Sequence, residues 1–329
     1  MDVFLTGGTG LVGSHTIQHL RAAGHTVRAI VRDAAGADLV QSLGGTAIGG
    51  HIEDESCWHA AEAADAIVHT AALVTQPQSW QTYQAVNVTG TKYAAQAAAR
   101  SGARLVHLSS VSVYGRQPTT YRGVVEEHAR WAPLANSDYY ARSKRQAELA
   151  LWSVTRANGV SALALRPCVI YGERDRVFLP HVIRAVRYGI SPLIGHGNNV
   201  LAAVYAGNVA TAIVAALEHP EVEGPCNITN DGAMTQREFF CTVAEAMGRS
   251  VRFVRIPLVA ATALTVAYYL FRRLTRPGRC AGIPASAARF LATENPYTSK
   301  RAEQKLGWRP TTPPKEAVAR AVRSLVSER

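Results

Sequence analysis

The chain has 329 residues, 47% of them hydrophobic and 18% charged, which excludes a disordered protein and allows one large α/β domain with a smaller lobe. Its net charge of +11, from 35 basic and 24 acidic residues without a run of five basic ones, argues against a nucleic-acid partner. A phosphate-bearing cofactor and an anionic membrane surface are the better outlets for that charge. Five scattered cysteines (Cys57, Cys168, Cys226, Cys241 and Cys280) without a CxxC pair predict reduced thiols in a cytoplasmic setting and no metal site. With a strand read from residue 3, no signal peptide is expected.

The chain is organised around its first thirteen residues, MDVFLTGGTGLVG. Val3 to Leu5 read as a buried strand, and Leu11 to Ala23 as a helix stopped by Gly24. Between them, Gly7 permits a tight turn, Gly10 lets the backbone approach a phosphate, and Gly13 lets helix and strand pack closely. The free N–H groups and positive dipole end of such a helix form a pyrophosphate site. His25 to Val31 reads as the second strand, with Arg32 and then Asp33 at its tip. Arg at that tip suits a 2′-phosphate and an acid suits a free ribose hydroxyl, so the order favours NADP(H), with NAD(H) as the alternative.

Ala47-Ile48 is a weak third strand, Glu53 to Ala64 a helix, and Asp65 to Thr70 a fourth strand running into the small residues Ala71 and Ala72. Trp80 to Arg100 reads as one long amphipathic helix containing Asn87. Arg104 to Leu108 is a fifth strand ending in Ser109-Ser110. A charged, turn-rich loop, Gly115 to Pro133, then precedes a helix from Asp138 to Ala157, which carries Tyr140 and Lys144 on one face. Ser161 to Leu165 is a sixth strand leading into Arg166, Pro167 and Cys168. The alternation of strand and helix predicts a doubly wound, Rossmann-type parallel sheet. Residues 1–172 read as the dinucleotide-binding domain and 173–329 as mainly a substrate lobe, with a return to the sheet at about 200–218. Cys226 to Thr229 is a short strand and Thr235 to Met247 a helix. Residues 257–271 are apolar all round and bracketed by Arg252, Arg255, Arg272 and Arg273. At 15 residues the run is short for a membrane span, which takes roughly 20. The first reading is a buried helix lining an apolar pocket that opens toward Tyr140; the second is a peripheral membrane contact through 252–273.

The segments TGGTGLVG (6–13), VHTAAL (68–73), VNVTGT (86–91), HLSSVSVYG (107–115), YARSK (140–144), LRPCVIYG (165–172) and VYAGNVA (204–210) together resemble an extended short-chain dehydrogenase/reductase. The 3β-hydroxysteroid dehydrogenase and dihydroflavonol-reductase branches are the nearest in kind. The resemblance implies a site of Ser110, Tyr140 and Lys144. It also implies cofactor contacts from Gly7, Gly10, Leu11, Val12, Gly13, Arg32, Thr70, Ala71, Ala72, Asn87, Tyr140, Lys144, Pro167 and Cys168. Ser109 is the rival of Ser110, and Tyr139 of Tyr140. Lys144 and the nicotinamide ring are expected to favour the Tyr140 phenolate. Tyr140 would exchange a proton with the substrate oxygen while Ser110 holds that oxygen. Two departures stand out. His51 replaces the Asp that usually helps seat the adenine. Leu201 and Ala202 stand where nucleotide-sugar epimerases carry Arg and Asp. The reading is therefore an NAD(P)-dependent oxidoreductase acting on a small hydrophobic alcohol or ketone of steroid, terpenoid or polyketide type. A nucleotide-sugar epimerase or dehydratase is one alternative and a non-catalytic cofactor-binding regulator another. A homodimer is a further expectation.

Overall fold

The structure, a computed structural model, describes residues 1–74, 78–115, 130–229, 232–275 and 290–327. The expected loop at 115–133 falls largely outside these residues. Strands β1 (Asp2–Thr6), β2 (Thr26–Val31), β3 (Thr46–Gly49), β4 (Ala66–His69), β5 (Arg104–Leu108), β6 (Ala162–Pro167) and β10 (Gly224–Ile228) form one sheet. Its order is β3-β2-β1-β4-β5-β6-β10, and every pairing is parallel. Parallel strands covered on both faces must be apolar on both, and β4 and β5 are buried at every residue. Successive side chains alternate between the two cores: Val3 and Leu5 join the core with α1 (Leu11–Ala22) and α7 (Ala206–Glu218). Phe4, Ile67 and Leu105 join the opposite core with α4 (Gly90–Ser101) and α5 (Tyr139–Asn158). The strand order reverses between β1 and β4, which puts the ligand crevice outside their carboxyl ends.

Several elements differ from expectation. α2 (Ala34–Ser42) was not foreseen; Asp33 caps it by accepting from the Gly36 N–H at 2.7 Å. Glu55–Ala61 is a short 3-10 helix rather than a longer α-helix, held by the Asp54 cap and the buried Trp58. The long helix at 80–101 contains a π segment, Gln84–Thr89, between α3 (Trp80–Tyr83) and α4. The stretch from Val200 does not rejoin the main sheet. β9 (Ala203–Tyr205) pairs with β7 (Val169–Tyr171) in a separate ribbon, and α7 then packs on α1.

The later chain serves two cores. β10, α10 (Lys300–Leu306) and Trp308 close the main one. The helices α6 (Leu179–Val186), α8 (Gln236–Ala246) and α11 (Pro314–Ser327) build the second, around Phe239 and Val322. A two-stranded parallel ribbon of β8 (Ile190–Ile194) and β11 (Arg252–Ile256) lies beside it.

The apolar run forms α9 (Leu258–Thr275), but the expected burial is not found. Among its described side chains only Ala261 is buried, against Ile194, while Val259 is 82% and Leu264 63% exposed. The helix docks by one edge on the β8–β11 ribbon. A helix that is apolar all round can cover only the edge it turns to the protein. Among the described residues, no helix is long and apolar enough to cross a membrane.

Candidate active site

The glycine turn is shaped for close approach. Gly7 takes φ +76°, and a Cβ there would lie 2.7 Å from the Ala71 nitrogen. A Cβ on Gly13 would meet the Gly7 carbonyl oxygen at 2.0 Å, so α1 sits directly on the turn. Gly10 is the N-cap of α1 and offers no side-chain cap, and no acid occupies the first turn. The N–H groups at the start of α1, on Leu11, Val12 and Gly13, have no intrahelical acceptor. That turn, held tight because Gly7 and Gly13 carry no Cβ, fits the pyrophosphate of a nicotinamide dinucleotide.

At the tip of β2, Arg32 is exposed, whereas the Asp33 carboxylate is engaged in capping α2. His51 is exposed, with Glu53 3.9 Å away. The end of β4 touches the turn from its other side. The Thr70 hydroxyl donates to the Thr6 carbonyl at 2.7 Å, and the Ala71 N–H donates to the Thr6 hydroxyl at 3.3 Å. Thr70 thereby ties two strands together, and Ala71 and Ala72 remain partly exposed beyond it. Pro167 ends β6, and Cys168 beside it is buried.

Asn87, expected among the cofactor contacts, has protein partners on its side-chain amide. It sits in the π segment and is buried. Its Oδ1 accepts from the Leu73 N–H at 2.7 Å, and its Nδ2 donates to the Leu73 carbonyl at 3.0 Å and to the Ser143 hydroxyl at 2.8 Å. Ser143 in turn donates to the Tyr140 carbonyl at 2.8 Å. All of the amide's donors and its acceptor are thus engaged with protein. Asn87 braces the first turn of α5 against the segment after β4.

Ser110, Tyr140 and Lys144 meet at the carboxyl end of β5. Ser110 follows the strand in an extended conformation and caps the 3-10 turn Val111–Tyr114, its hydroxyl accepting from the Ser112 N–H at 3.1 Å. The same hydroxyl is hydrogen-bonded to the Tyr140 phenol. The rivals are engaged elsewhere. Ser109 donates to Glu148 inside the core, and Tyr139 packs on Trp80 and Tyr83 with ring centroids 5.8 and 6.1 Å away.

Burial pushes the Tyr140 phenol up to about 12, with the Ser110 hydrogen bond opposing. The expected lowering by Lys144 is not seen. The Lys144 ammonium is itself buried and donates to the Leu108 carbonyl at 2.8 Å, which directs it at the strand rather than at the phenol. Burial lowers Lys144 to about 8, with Glu148 opposing.

Behind these residues lies a buried network that the sequence reading passed over. Arg166 makes two hydrogen bonds to Glu148, at 2.9 and 2.6 Å, and donates to the Tyr114 hydroxyl at 2.8 Å. Tyr114 donates to Asn227 on β10 at 2.9 Å. Glu148 also holds Ser109, which turns Ser110 to the opposite side of the strand end. A signal was present: Tyr140, Lys144 and Glu148 stand at i, i+4 and i+8 on one helix face.

The comparisons with known proteins agree with this architecture. Residues 3–230 match the model of the NAD dependent epimerase/dehydratase family. A ketoreductase from Stigmatella aurantiaca, named for 4-hydroxy-2-methyl-3-oxo-4-farnesyl-3,4-dihydroquinoline-1-oxide, is 30% identical over 94% of this chain and 92% of its own. A 3β-hydroxysteroid dehydrogenase/decarboxylase from Arabidopsis thaliana is 27% identical over 80% of this chain, though only 49% of that longer protein is covered. Among solved structures, the UDP-glucuronic acid 4-epimerase of Bacillus cereus, in complex with NAD, shares the fold. Its TM-score is 0.75 at 19% identity, over 100% of this chain and 99% of that one.

Proposed function

Because this chain belongs to the NAD dependent epimerase/dehydratase family and is an oxidoreductase of the extended short-chain dehydrogenase/reductase kind, we propose that it interconverts a ketone and a secondary alcohol on a hydrophobic small molecule. The substrate class proposed is steroid-, terpenoid- or polyketide-like. The observation that carries the reading is the hydrogen-bonded Ser110–Tyr140 pair beside Lys144, at the strand end next to the glycine cradle.

The nicotinamide cofactor supplies or accepts the hydride when bound. Gly7, Gly10, Leu11, Val12 and Gly13 would hold its pyrophosphate, and Arg32 a 2′-phosphate, which is why NADP(H) is the proposed form. Thr70, Ala71, Ala72, Pro167 and Cys168 would complete the cofactor contacts.

In the reductive direction Tyr140 donates its phenolic proton to the carbonyl oxygen as that oxygen gains negative charge. A phenol pushed up to about 12 is protonated at neutral pH and so is loaded for this step. Ser110 donates a hydrogen bond to the same oxygen and fixes its position. Lys144 holds the end of β5 through the Leu108 carbonyl and thereby holds Ser110 in place.

Two things support an apolar substrate over a nucleotide sugar. The relatives are named for a farnesyl-bearing quinoline oxide and for a hydroxysteroid. Leu201 and Ala202, the positions where epimerases carry charge, are 3% and 9% exposed and join the apolar cores. The likeness to UDP-sugar epimerases speaks for the fold alone. The test is cofactor oxidation, with NADPH and NADH in parallel, against ketones of graded size and polarity and against UDP-sugars. Turnover of a bulky apolar ketone with inert UDP-sugars is expected. Epimerisation of a UDP-sugar without net cofactor turnover would overturn the reading.

A further inference from the structure

The chain's positive charge is less even than the lack of a basic run suggests. Residues 246–293 hold eight arginines and no Asp or Glu, and the rest of the chain is close to neutral. This is the segment that contains α9. The helix presents Val259 and Leu264 to the outside at 82% and 63% exposure, and Ala260, Ala263 and Ala267 are exposed with them. The ribbon beneath extends the same character. Arg252, Val254 and Arg255 on β11 are exposed, and so is Tyr188, at 78%, just before β8.

We propose that α9 and the exposed edge of β11 form a membrane-docking surface, in which α9 lies in the plane of an anionic bilayer while arginines bind lipid phosphates. Three observations select this occupant. The apolar part of α9 runs from Leu258 to Phe271 and stops at Arg272; at about 21 Å it is too short to cross a bilayer core of about 30 Å but long enough to lie in the interface. Apolar side chains flanked by arginine and tyrosine are the composition of that interface. A second copy of this chain is a poor occupant, because two such patches would oppose arginines to arginines with no carboxylate between them. The proposal uses none of the catalytic residues and does not depend on the substrate proposed above.

The experiment is co-sedimentation of the full chain with vesicles of phosphatidylcholine alone and of phosphatidylcholine mixed with phosphatidylserine. The protein is expected on the mixed vesicles and largely absent from the neutral ones. Raising salt from about 0.1 M to about 1 M should release it, since the Debye length shrinks from about 10 Å to about 3 Å. Arg252→Gln and Arg255→Gln should each weaken partition about fivefold. Leu264→Glu removes an exposed apolar contact and should weaken it by about 30-fold or more without unfolding the chain, as circular dichroism would verify. Cofactor binding should be unchanged in all three variants. Equal recovery on both vesicle types, or anionic binding that Leu264→Glu leaves intact, would overturn the proposal. So would a wild-type dimer that Leu264→Glu converts to monomer while vesicles bind neither.

Discussion

Replacing Tyr140 by Phe removes one hydroxyl and keeps the ring, so it isolates the proton from the packing. A general acid contributes roughly 10²–10⁴ in rate, which corresponds to about 3–5 kcal/mol of barrier. The larger part of that range is expected here. The phenol is pushed up to about 12 and therefore remains protonated across the neutral range, so its loss removes a fully populated donor. Ser110 stays in place and continues to hold the substrate oxygen, which sets the residual rate. The assay is single-turnover reduction of an accepted ketone followed by cofactor absorbance, with cofactor affinity measured separately by tryptophan fluorescence. Affinity should hardly change. Reduction by the wild-type enzyme should be nearly independent of pH between about 5 and 7, below the range in which either the Lys144 ammonium, at about 8, or the phenol, at about 12, loses its proton. Tyr139→Phe is the control, since Tyr139 is packed on Trp80 and Tyr83 and should be dispensable. Near-normal turnover in Tyr140→Phe, or a comparable collapse in Tyr139→Phe, would refute the assignment.

Arg32→Ala should weaken NADPH binding by about 10–100-fold, the worth of one charge-assisted hydrogen bond, and leave NADH affinity unchanged by titration. A wild-type preference for NADH would transfer attention from Arg32 to its neighbours. Gly13→Ala drives a methyl to 2.0 Å from the Gly7 carbonyl oxygen. It should lower stability by at least the roughly 1–3 kcal/mol of an overpacked core and abolish dinucleotide binding, read by thermal melts with and without cofactor. Burial holds His69 at about 3 and His107 well below its ordinary value, so both stay neutral in the fold and charge only on unfolding. Depressed values mean that the stability is present above 6.5 and is lost as the pH falls. Between about pH 7 and about pH 5 the loss should be about 2 kcal/mol per histidine. His107→Leu should remove one such share from the urea midpoints at the two pH values.

The sheet was legible because its strands are short apolar runs closed by glycine and small residues. The glycine cradle was legible because its spacing sits between a strand and a helix. What escaped had physical reasons. α2 carries Gly36 and Asp38 in a weakly apolar stretch, and its strongest signal, the cap at Asp33, doubled as a candidate ribose ligand. Within the long helix, the π segment leaves no trace in the apolar periodicity, so the hydrogen bonds by which Asn87 joins Leu73 to Ser143 were not legible in the sequence. The burial of 257–271 was inferred from composition. Composition reports what a helix could bury, whereas packing partners decide what it does bury, and among its described side chains α9 buries only the narrow edge around Ala261.

The choice between a phenol and a phenolate at Tyr140 turns on where the nearby charges are directed. Lys144 is the cation one helical turn away, yet its ammonium is bound to the Leu108 carbonyl, and Glu148 stands one further turn along α5. The Glu148 carboxylate is itself held by Arg166 and Ser109. His69 and His107, stacked with centroids 5.3 Å apart, complete the surroundings, and Lys144 helps keep both neutral. The charge of Lys144 is thus compensated from the strand side and reaches Tyr140 weakly, so desolvation sets the phenol. A donor kept protonated by burial favours ketone reduction near neutral pH. Oxidation of the alcohol requires the same oxygen to accept a proton, and its rate should climb with pH toward the value of about 12 set by burial. If both directions showed the same pH dependence, some other group would be exchanging the proton.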